Sequence, residues 1–388
     1  MKLKQAKMLF QRKEPRLPLK FIISGGGTGG HIFPAIAIAN ALKAKLPDAQ
    51  FLFVGAEGRM EMEKVPAAGY KIEGLWISGL QRNLTLSNLS FPFKVMSSLR
   101  KAKKILKEFK PDAVIGTGGY ASGPMLRVAS KREIPTLIQE QNSFPGITNK
   151  ILSKRVSRIC VAYDGMEKYF PKEKIVFTGN PVRQDIVNLE GKRPRGQEFF
   201  GLDKSKTTLL VVGGSLGAKA INESLEAGLE KLVAKNIQVV WQTGKPFFER
   251  AKVAGEKFKS NGVVVTEFIS KMDYGYAAAD VVVSRAGAGA VSELCLVRKP
   301  CILVPLPTAA EDHQTKNAMS LVNHQAALLV KDTDAKNELV DKAIELVADA
   351  DLRNKLESNI AGLAVGNSAE LIASEIISLV NKNKSGAK

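Results

Sequence analysis

Cysteine is scarce in this 388-residue chain: three residues, Cys160, Cys295 and Cys301, each within an apolar stretch. An odd number without metal-ligand spacing argues against a disulfide framework or a zinc ribbon. It fits a reducing compartment, so the cytoplasm is the expected location. Histidine is equally rare, with three residues. No stretch reaches the roughly 18–20 uninterrupted apolar residues that a spanning helix needs. Residues 1–19 are basic but lack the apolar run and small-residue cleavage site of a secretion signal, so they read as a basic extension. Acids are under-represented as well, 38 against 57 Lys and Arg, for a formal charge of +19. Such an excess favours an anionic partner: nucleic acid, an anionic membrane surface or a phosphorylated substrate would each satisfy it. Charge does not choose among them, and a soluble basic protein needs none.

What is present is a repeated strand–loop–helix pattern. The length suggests two domains. Leu19–Ser24, Gln50–Val54, Ala113–Ile115 and Thr136–Ile138 are short apolar runs without alternation, as buried parallel strands are. A helix is expected over Pro34–Leu46, with the proline near its first turn. A second series, TTLLVVG, IQVVWQ, GVVVTEF, DVVVS, PCILVP and ALLV, begins near Thr207, with helical segments between most of its members. The series echo each other. LKFIISGGGTGGH parallels LLVVGGSLGAK, and DAVIGTGGYASG parallels DVVVSRAGAGAVSE. Two doubly wound α/β domains facing a shared cleft are therefore expected, at residues 20–183 and 184–368. Residues 369–388 form a last helix and tail that could pack on either domain.

Three glycine-rich loops and one polar helix carry the candidate chemistry. Gly25–Gly30 lets backbone N–H groups approach an anion while the following helix adds its positive end. Its spacing also fits a dinucleotide fingerprint, but Val54 is followed by Gly55-Ala56, with Glu57 only later, where a ribose-binding acid should end the second strand. His31, at that helix start, is a candidate base kept neutral by the helix end, or a residue that merely packs. The loop Gly213–Ala218 suits a phosphate, with Ser215 adding a hydroxyl, or a plain turn. In Ser284–Glu293 an acid in the first helical turns could hold vicinal ribose hydroxyls or complement the helix dipole. Gln314 and Asn317 share a helix face and suit sugar hydroxyls, though a capped surface helix has the same look. Asp332-x-Asp334 and Asp349-x-Asp351 read as solvated faces, so no metal is expected.

Together and in order, these pieces resemble the bacterial N-acetylglucosaminyltransferases that convert lipid I to lipid II in peptidoglycan synthesis. The matching segments are GGGTGGHIFPAIAIA, ISGL, GTGGYASGP, QEQNSFPGITNK, GNPVR, GGSLGA, TEFI, SRAGAGAVSE and AEDHQTKNA, within about residues 20–380. The resemblance implies the two-domain GT-B fold and inverting, metal-independent transfer from UDP-N-acetylglucosamine to the 4-hydroxyl of N-acetylmuramic acid in the lipid-linked muropeptide. No cofactor is implied. Thr28, Gly29 and Gly30 would approach the donor diphosphate, Asn142 and Arg183 would line the cleft, and Ser215 would touch the diphosphate. The backbone of Ile269 would read uracil, and the helix start Ala288, Gly289, Ala290, Val291, Ser292 and Glu293 would meet the nucleotide, Glu293 at the ribose. Gln314 and Asn317 would read N-acetylglucosamine, and His31 is the family's acceptor-side candidate. One departure is Gln139, where the family often has histidine.

A lipid-linked acceptor implies the cytoplasmic face of the inner membrane, and residues 75–110 suit it. Leu75, Trp76, Ile77, Leu80, Leu84, Leu86, Leu89, Phe91 and Phe93 crowd a stretch followed by Arg100, Lys101, Lys103, Lys104 and Lys107. Val95, Leu99, Ala102, Leu106 and Phe109 form a helical stripe that should face protein instead. The alternatives are a UDP-N-acetylglucosamine 2-epimerase on the same fold, an NAD oxidoreductase, disfavoured by the missing strand-end acid, and a nucleic-acid binder. For the last, no recognised binding module is present.

Overall fold

A computed structural model describes residues 17–79, 90–182, 184–214 and 216–386. Arg183, Ser215 and the stretch containing Leu80, Leu84, Leu86 and Leu89 lie outside the described residues, as does most of the basic extension.

Strands β1 (Lys20–Gly25), β2 (Gln50–Ala56), β3 (Ile72–Leu75), β4 (Ala113–Gly118), β5 (Thr136–Glu140), β6 (Arg158–Val161) and β7 (Ile175–Phe177) form the first sheet. Among the described residues it is seven-stranded, in the order β3-β2-β1-β4-β5-β6-β7, and parallel throughout. The second comprises β8 (Thr207–Val212), β9 (Ile237–Gln242), β10 (Val263–Thr266), β11 (Val281–Ser284), β12 (Cys301–Leu303) and β13 (Leu328–Leu329). Its order is β10-β9-β8-β11-β12-β13, again all parallel. Strands such as AVIGTG and IQVVWQ are buried along their whole length, which is why they read as unbroken runs rather than alternating ones.

The strand order turns at β1/β4 in the first sheet and at β8/β11 in the second. Those are the two pairs of echoing glycine motifs. At such a turn the flanking loops splay apart and leave a crevice beyond the strand ends, where ligands of open α/β sheets bind.

The helices around these sheets include α1 (Gly29–Lys45), α2 (Phe91–Phe109), α3 (Ile147–Ser153), α4 (Ala288–Val297), α5 (His313–Val322) and α6 (Ser368–Gly386). The first starts five residues before the expected Pro34, because the Thr28 carbonyl accepts from both His31 N (3.1 Å) and Ile32 N (3.2 Å). Pro34 is therefore a buried residue inside the helix rather than part of its opening turn. The closing helix, α6, packs on the first sheet's side. Ile372, Ala373, Ile376 and Val380 join the core formed by Phe21, Ile38 and Leu42, with Glu375 ion-paired to Arg158 at 3.3 Å.

Of the acidic pairs expected on solvated faces, Asp349 and Asp351 are exposed, whereas Asp332 and Asp334 are partly covered. Asp332 pairs with Arg285, a partly buried contact that anchors the segment after β11. Asp349 caps the helix Ala350–Ala361 by accepting from Leu352 N at 2.8 Å.

Candidate active site

The first glycine loop lies on a buried carboxylate. Glu61 accepts from Ala56 N and Gly27 N, each at 2.9 Å, and so ties the end of β2 to the loop after β1. The strand-end acid sought for a ribose has a different place: Glu57 is half-exposed and paired with Lys101. Glu61, four residues on, serves the loop's own backbone. Thr28 precedes α1 in extended conformation, and no side chain caps the helix start at Gly29 and Gly30.

His31 stands where the β1 and β4 loops meet. Its Nδ1 lies 2.9 Å from the Gly26 carbonyl, which can only accept, so the proton is on Nδ1 and Nε2 keeps its lone pair. Among the described residues Nε2 has no hydrogen-bond partner. Burial pushes the imidazole below its ordinary pKa of 6.5; His313 adds to the effect, while the Gly26 bond and Glu61 oppose it. The ring lies so close to β4 that a Cβ on Gly118 would stand 2.8 Å from Cδ2. At Gly119, with φ +82°, a Cβ would stand 2.3 Å from the Gly26 carbonyl oxygen. The two loops touch because glycine occupies both positions.

A polar network fixes the loop after β5 and bridges the domains. Buried Glu140 accepts from Asn142 N, Asn142 Nδ2, Gly146 N and Asn149 Nδ2, and burial raises its pKa. Gln139 donates to Asn180 Oδ1 at 2.9 Å. Asn180 in turn donates to Gln141 O and across the cleft to Ser292 Oγ at 3.0 Å. Asn317 is fully buried. Its Oδ1 accepts from Ser143 N (3.1 Å) and Ser143 Oγ (3.2 Å), while Nδ2 donates to Asn142 Oδ1 (3.2 Å) and Ala286 O (3.3 Å). The two residues expected to meet ligand thus hold the domains to each other in this conformation.

On the second domain, α4 begins at Ala288-Gly289-Ala290 after Gly287, with no side-chain cap, just beyond the end of β11 where the strand order turns. Val291 is buried and Ser292 serves the bridge from Asn180. Glu293 Oε2 accepts from the buried Tyr276 hydroxyl at 2.9 Å, which sets the carboxylate's orientation. Ile269 N donates to Gln242 Oε1 at 3.0 Å. Gln314 Oε1 accepts from Leu306 N at 3.0 Å, and its Nε2 has no partner among the described residues. No group of three or more His, Cys, Asp or Glu side chains is arranged for a metal ion among the described residues.

Residues 21–161 match the Glycosyltransferase family 28 N-terminal domain, and residues 208–376 match that family's C-terminal domain. The chain belongs to glycosyltransferase family 28. Among its curated relatives, the UDP-N-acetylglucosamine--N-acetylmuramyl-(pentapeptide) pyrophosphoryl-undecaprenol N-acetylglucosamine transferase of Cytophaga hutchinsonii is 56% identical over 367 residues. The match covers 95% of this chain and 98% of the relative. The enzyme of the same name from Parabacteroides distasonis is 53% identical over 363 residues, 94% and 99% of the two chains. Of solved structures, Acinetobacter baumannii MurG superposes with a TM-score of 0.75 at 28% identity, covering 93% of this chain and 100% of that one. A UDP-N-acetylglucosamine 2-epimerase superposes at 0.63 with 15% identity over 95% and 98%, a likeness of fold alone. This family 28 member is accordingly a glycosyltransferase of GT-B architecture.

Sequence reasoning missed Glu61, Glu140 and the Gln139–Asn180–Ser292 bridge. Glu61 is separated from its loop by a whole strand and carries no motif. A buried carboxylate serving backbone N–H groups leaves no periodic trace.

Proposed function

We propose that this family 28 enzyme transfers N-acetylglucosamine from UDP-N-acetylglucosamine to the 4-hydroxyl of N-acetylmuramic acid in undecaprenyl-pyrophosphoryl-muropeptide (lipid I), inverting the anomeric centre and giving lipid II. The near full-length match to enzymes so named supports the substrates. The observation that carries the chemistry is the 2.9 Å contact between His31 Nδ1 and the Gly26 carbonyl.

With Nδ1–H committed to Gly26, Nε2 is the free base, and the lowered pKa keeps it unprotonated at neutral pH. It takes the proton of the 4-hydroxyl as that oxygen attacks the anomeric carbon from the face opposite UDP. The departing diphosphate gains negative charge, which the positive start of α4 stabilises, together with Arg183 and Ser215 and the backbone at Thr28, Gly29 and Gly30. Glu293, oriented by Tyr276, accepts from the ribose hydroxyls. The Ile269 carbonyl accepts from uracil, and Gln314 donates to the transferred sugar. Asn142 and Asn317 act by holding the cleft closed. In this reading no metal or cofactor takes part.

A membrane-bound acceptor calls for a surface that meets the bilayer. Beside α2 an apolar cavity of about 390 Å³ is lined by Ile77, Phe91, Val95, Leu99, Tyr120 and Ile151, with Arg127 and Arg155 also on its walls. Phe93, Met96, Ile147 and Ile151 are exposed nearby. No helix among the described residues is long and apolar enough to cross a membrane. We read this region as the docking face on the cytoplasmic side of the inner membrane.

The 2-epimerase reading makes a different demand, since that reaction needs no acceptor. Mixing enzyme with UDP-N-acetylglucosamine alone should leave the sugar nucleotide unepimerised, and UDP should appear only when the lipid-linked acceptor is added. Conversion to the manno epimer without acceptor would overturn the proposal.

A further inference from the structure

The chain passes between its domains twice, after β7 and again before α6, and the two passes touch at Gly179. With φ +72° there, a Cβ would stand 2.6 Å from both Val365 Cβ and Ser368 Oγ. The next residue, Asn180, is buried, and its partners settle the orientation of its amide. The Gln141 carbonyl can only accept, so Nδ2 is the atom that lies 2.9 Å from it, and Nδ2 also donates to Ser292 Oγ at 3.0 Å. Oδ1 accepts from Gln139. One side chain thus joins the loop after β5 to helix α4 of the other domain.

The neighbours of that amide lead toward the reacting groups. Gln141, itself buried, donates through Nε2 to the Thr117 carbonyl at 2.7 Å, and Thr117 Oγ1 donates to the His31 carbonyl at 2.9 Å. On the other side Ser292 immediately precedes Glu293, whose carboxylate is oriented by Tyr276. A second bridge, from Asn317 to Asn142 and Ser143, holds the same loop to α5. One bridge alone leaves a swivel, whereas two fix the angle between the domains. We propose that Asn180 is a positioning residue for the transfer, and that the Ser292 hydroxyl serves Asn180 rather than the donor. This rests on the reading under Proposed function, in which the acceptor's base and the donor's ribose acid stand on different domains. A hydroxyl attacking an anomeric carbon tolerates little misplacement, about 10²-fold in rate for roughly 1 Å. The bond that sets the domains against each other therefore acts on turnover, although it touches no substrate.

The test combines steady-state kinetics, donor calorimetry and thermal denaturation, with UDP-N-acetylglucosamine and a soluble lipid I analogue as substrates. The proteins are wild type, Asn180→Ala, Ser292→Ala, the double variant and Ser292→Thr. Asn180→Ala and Ser292→Ala should each lower kcat by about tenfold or more, with donor Kd unchanged. The double variant should be no worse than Asn180→Ala, since the serine acts through the asparagine. Ser292→Thr keeps the hydroxyl and should retain most of the turnover. If Asn180→Ala does not fold, the two Ser292 variants decide the matter. Weakened donor binding in Ser292→Ala would make its hydroxyl a nucleotide contact and overturn the proposal. So would additive losses in the double variant, or a lower denaturation midpoint with unchanged kcat, which would leave the bridge a purely structural role. Wild type that transfers nothing to the acceptor would instead contradict the Proposed function.

Discussion

His31, Glu293 and Glu61 act through single bonds, and each makes a separate expectation. Removing the imidazole should cost turnover and spare the donor: His31→Ala should lower kcat by about 10²–10⁴-fold with nearly unchanged donor affinity. A loss confined to donor KM would place His31 beside phosphate instead. Because burial lowers the His31 pKa, the base fails only as pH falls through that lowered value. The acid limb of kcat/KM should accordingly have its midpoint below the ordinary 6.5 and vanish in the alanine variant. Glu293→Ala should weaken UDP-N-acetylglucosamine binding by about 1.5–3 kcal/mol, and Tyr276→Phe, which only frees the carboxylate's orientation, by about 0.5–1.5 kcal/mol. Titration calorimetry showing equal affinity for wild type and Glu293→Ala would remove Glu293 from the donor site. His31 and Glu293 were legible because each lies inside a glycine motif that marks a strand end. Glu61 was not, since its target is backbone and its loop lies 34 residues earlier. Glu61→Ala strands the buried N–H of Ala56, while that of the exposed Gly27 can turn to water, and should lower stability by about 1–3 kcal/mol, read as a fall in the denaturation midpoint.

At the scale of elements, α2 divides along its length as its sequence suggests. Ala102 and Leu106 are buried, and Val95, Leu99 and Phe109 pack against the same core, so the apolar stripe faces protein. The opposite side carries lysines, of which Lys101 is paired with Glu57 and Lys104 more loosely with Glu108. Near the helix start Phe93 is 72% exposed. Exposed aromatic and cationic side chains together suit an anionic bilayer, with about 1 kcal/mol per surface charge. Phosphatidylglycerol vesicles should pellet the protein at low salt and release much of it at high salt. Replacing Lys101, Lys103, Lys104 and Lys107 with Gln should weaken pelleting while activity on a soluble acceptor survives. Equal pelleting of both proteins, or no preference for anionic over neutral vesicles, would rule this face out. The start of α1 shows the limit of local reading: Pro34 looked like an opening residue, yet glycines and His31 extend the helix upstream through bonds to Thr28.

For the whole molecule, the doubly wound architecture was written in the unbroken apolar runs, and the internal echo located both crevices. Beyond that range the sequence was silent. Asn317 read as a ligand residue because amides suit sugars, and Asn142 only through the family resemblance, but amides equally suit one another, and only the packing of two domains brings them together. The side on which α6 packs likewise depended on its contact with α1, which no local pattern encodes. What unites these parts is one claim, that the closed cleft joins a donor held by the second domain to an acceptor hydroxyl deprotonated by the first. The most direct measurement is to incubate the protein with UDP-N-acetylglucosamine and a lipid I analogue and determine the linkage of the isolated product by NMR. A β-1,4-linked disaccharide formed with one equivalent of UDP is the predicted result. An α-linkage, attachment at another hydroxyl, or sugar released to water alone would contradict it.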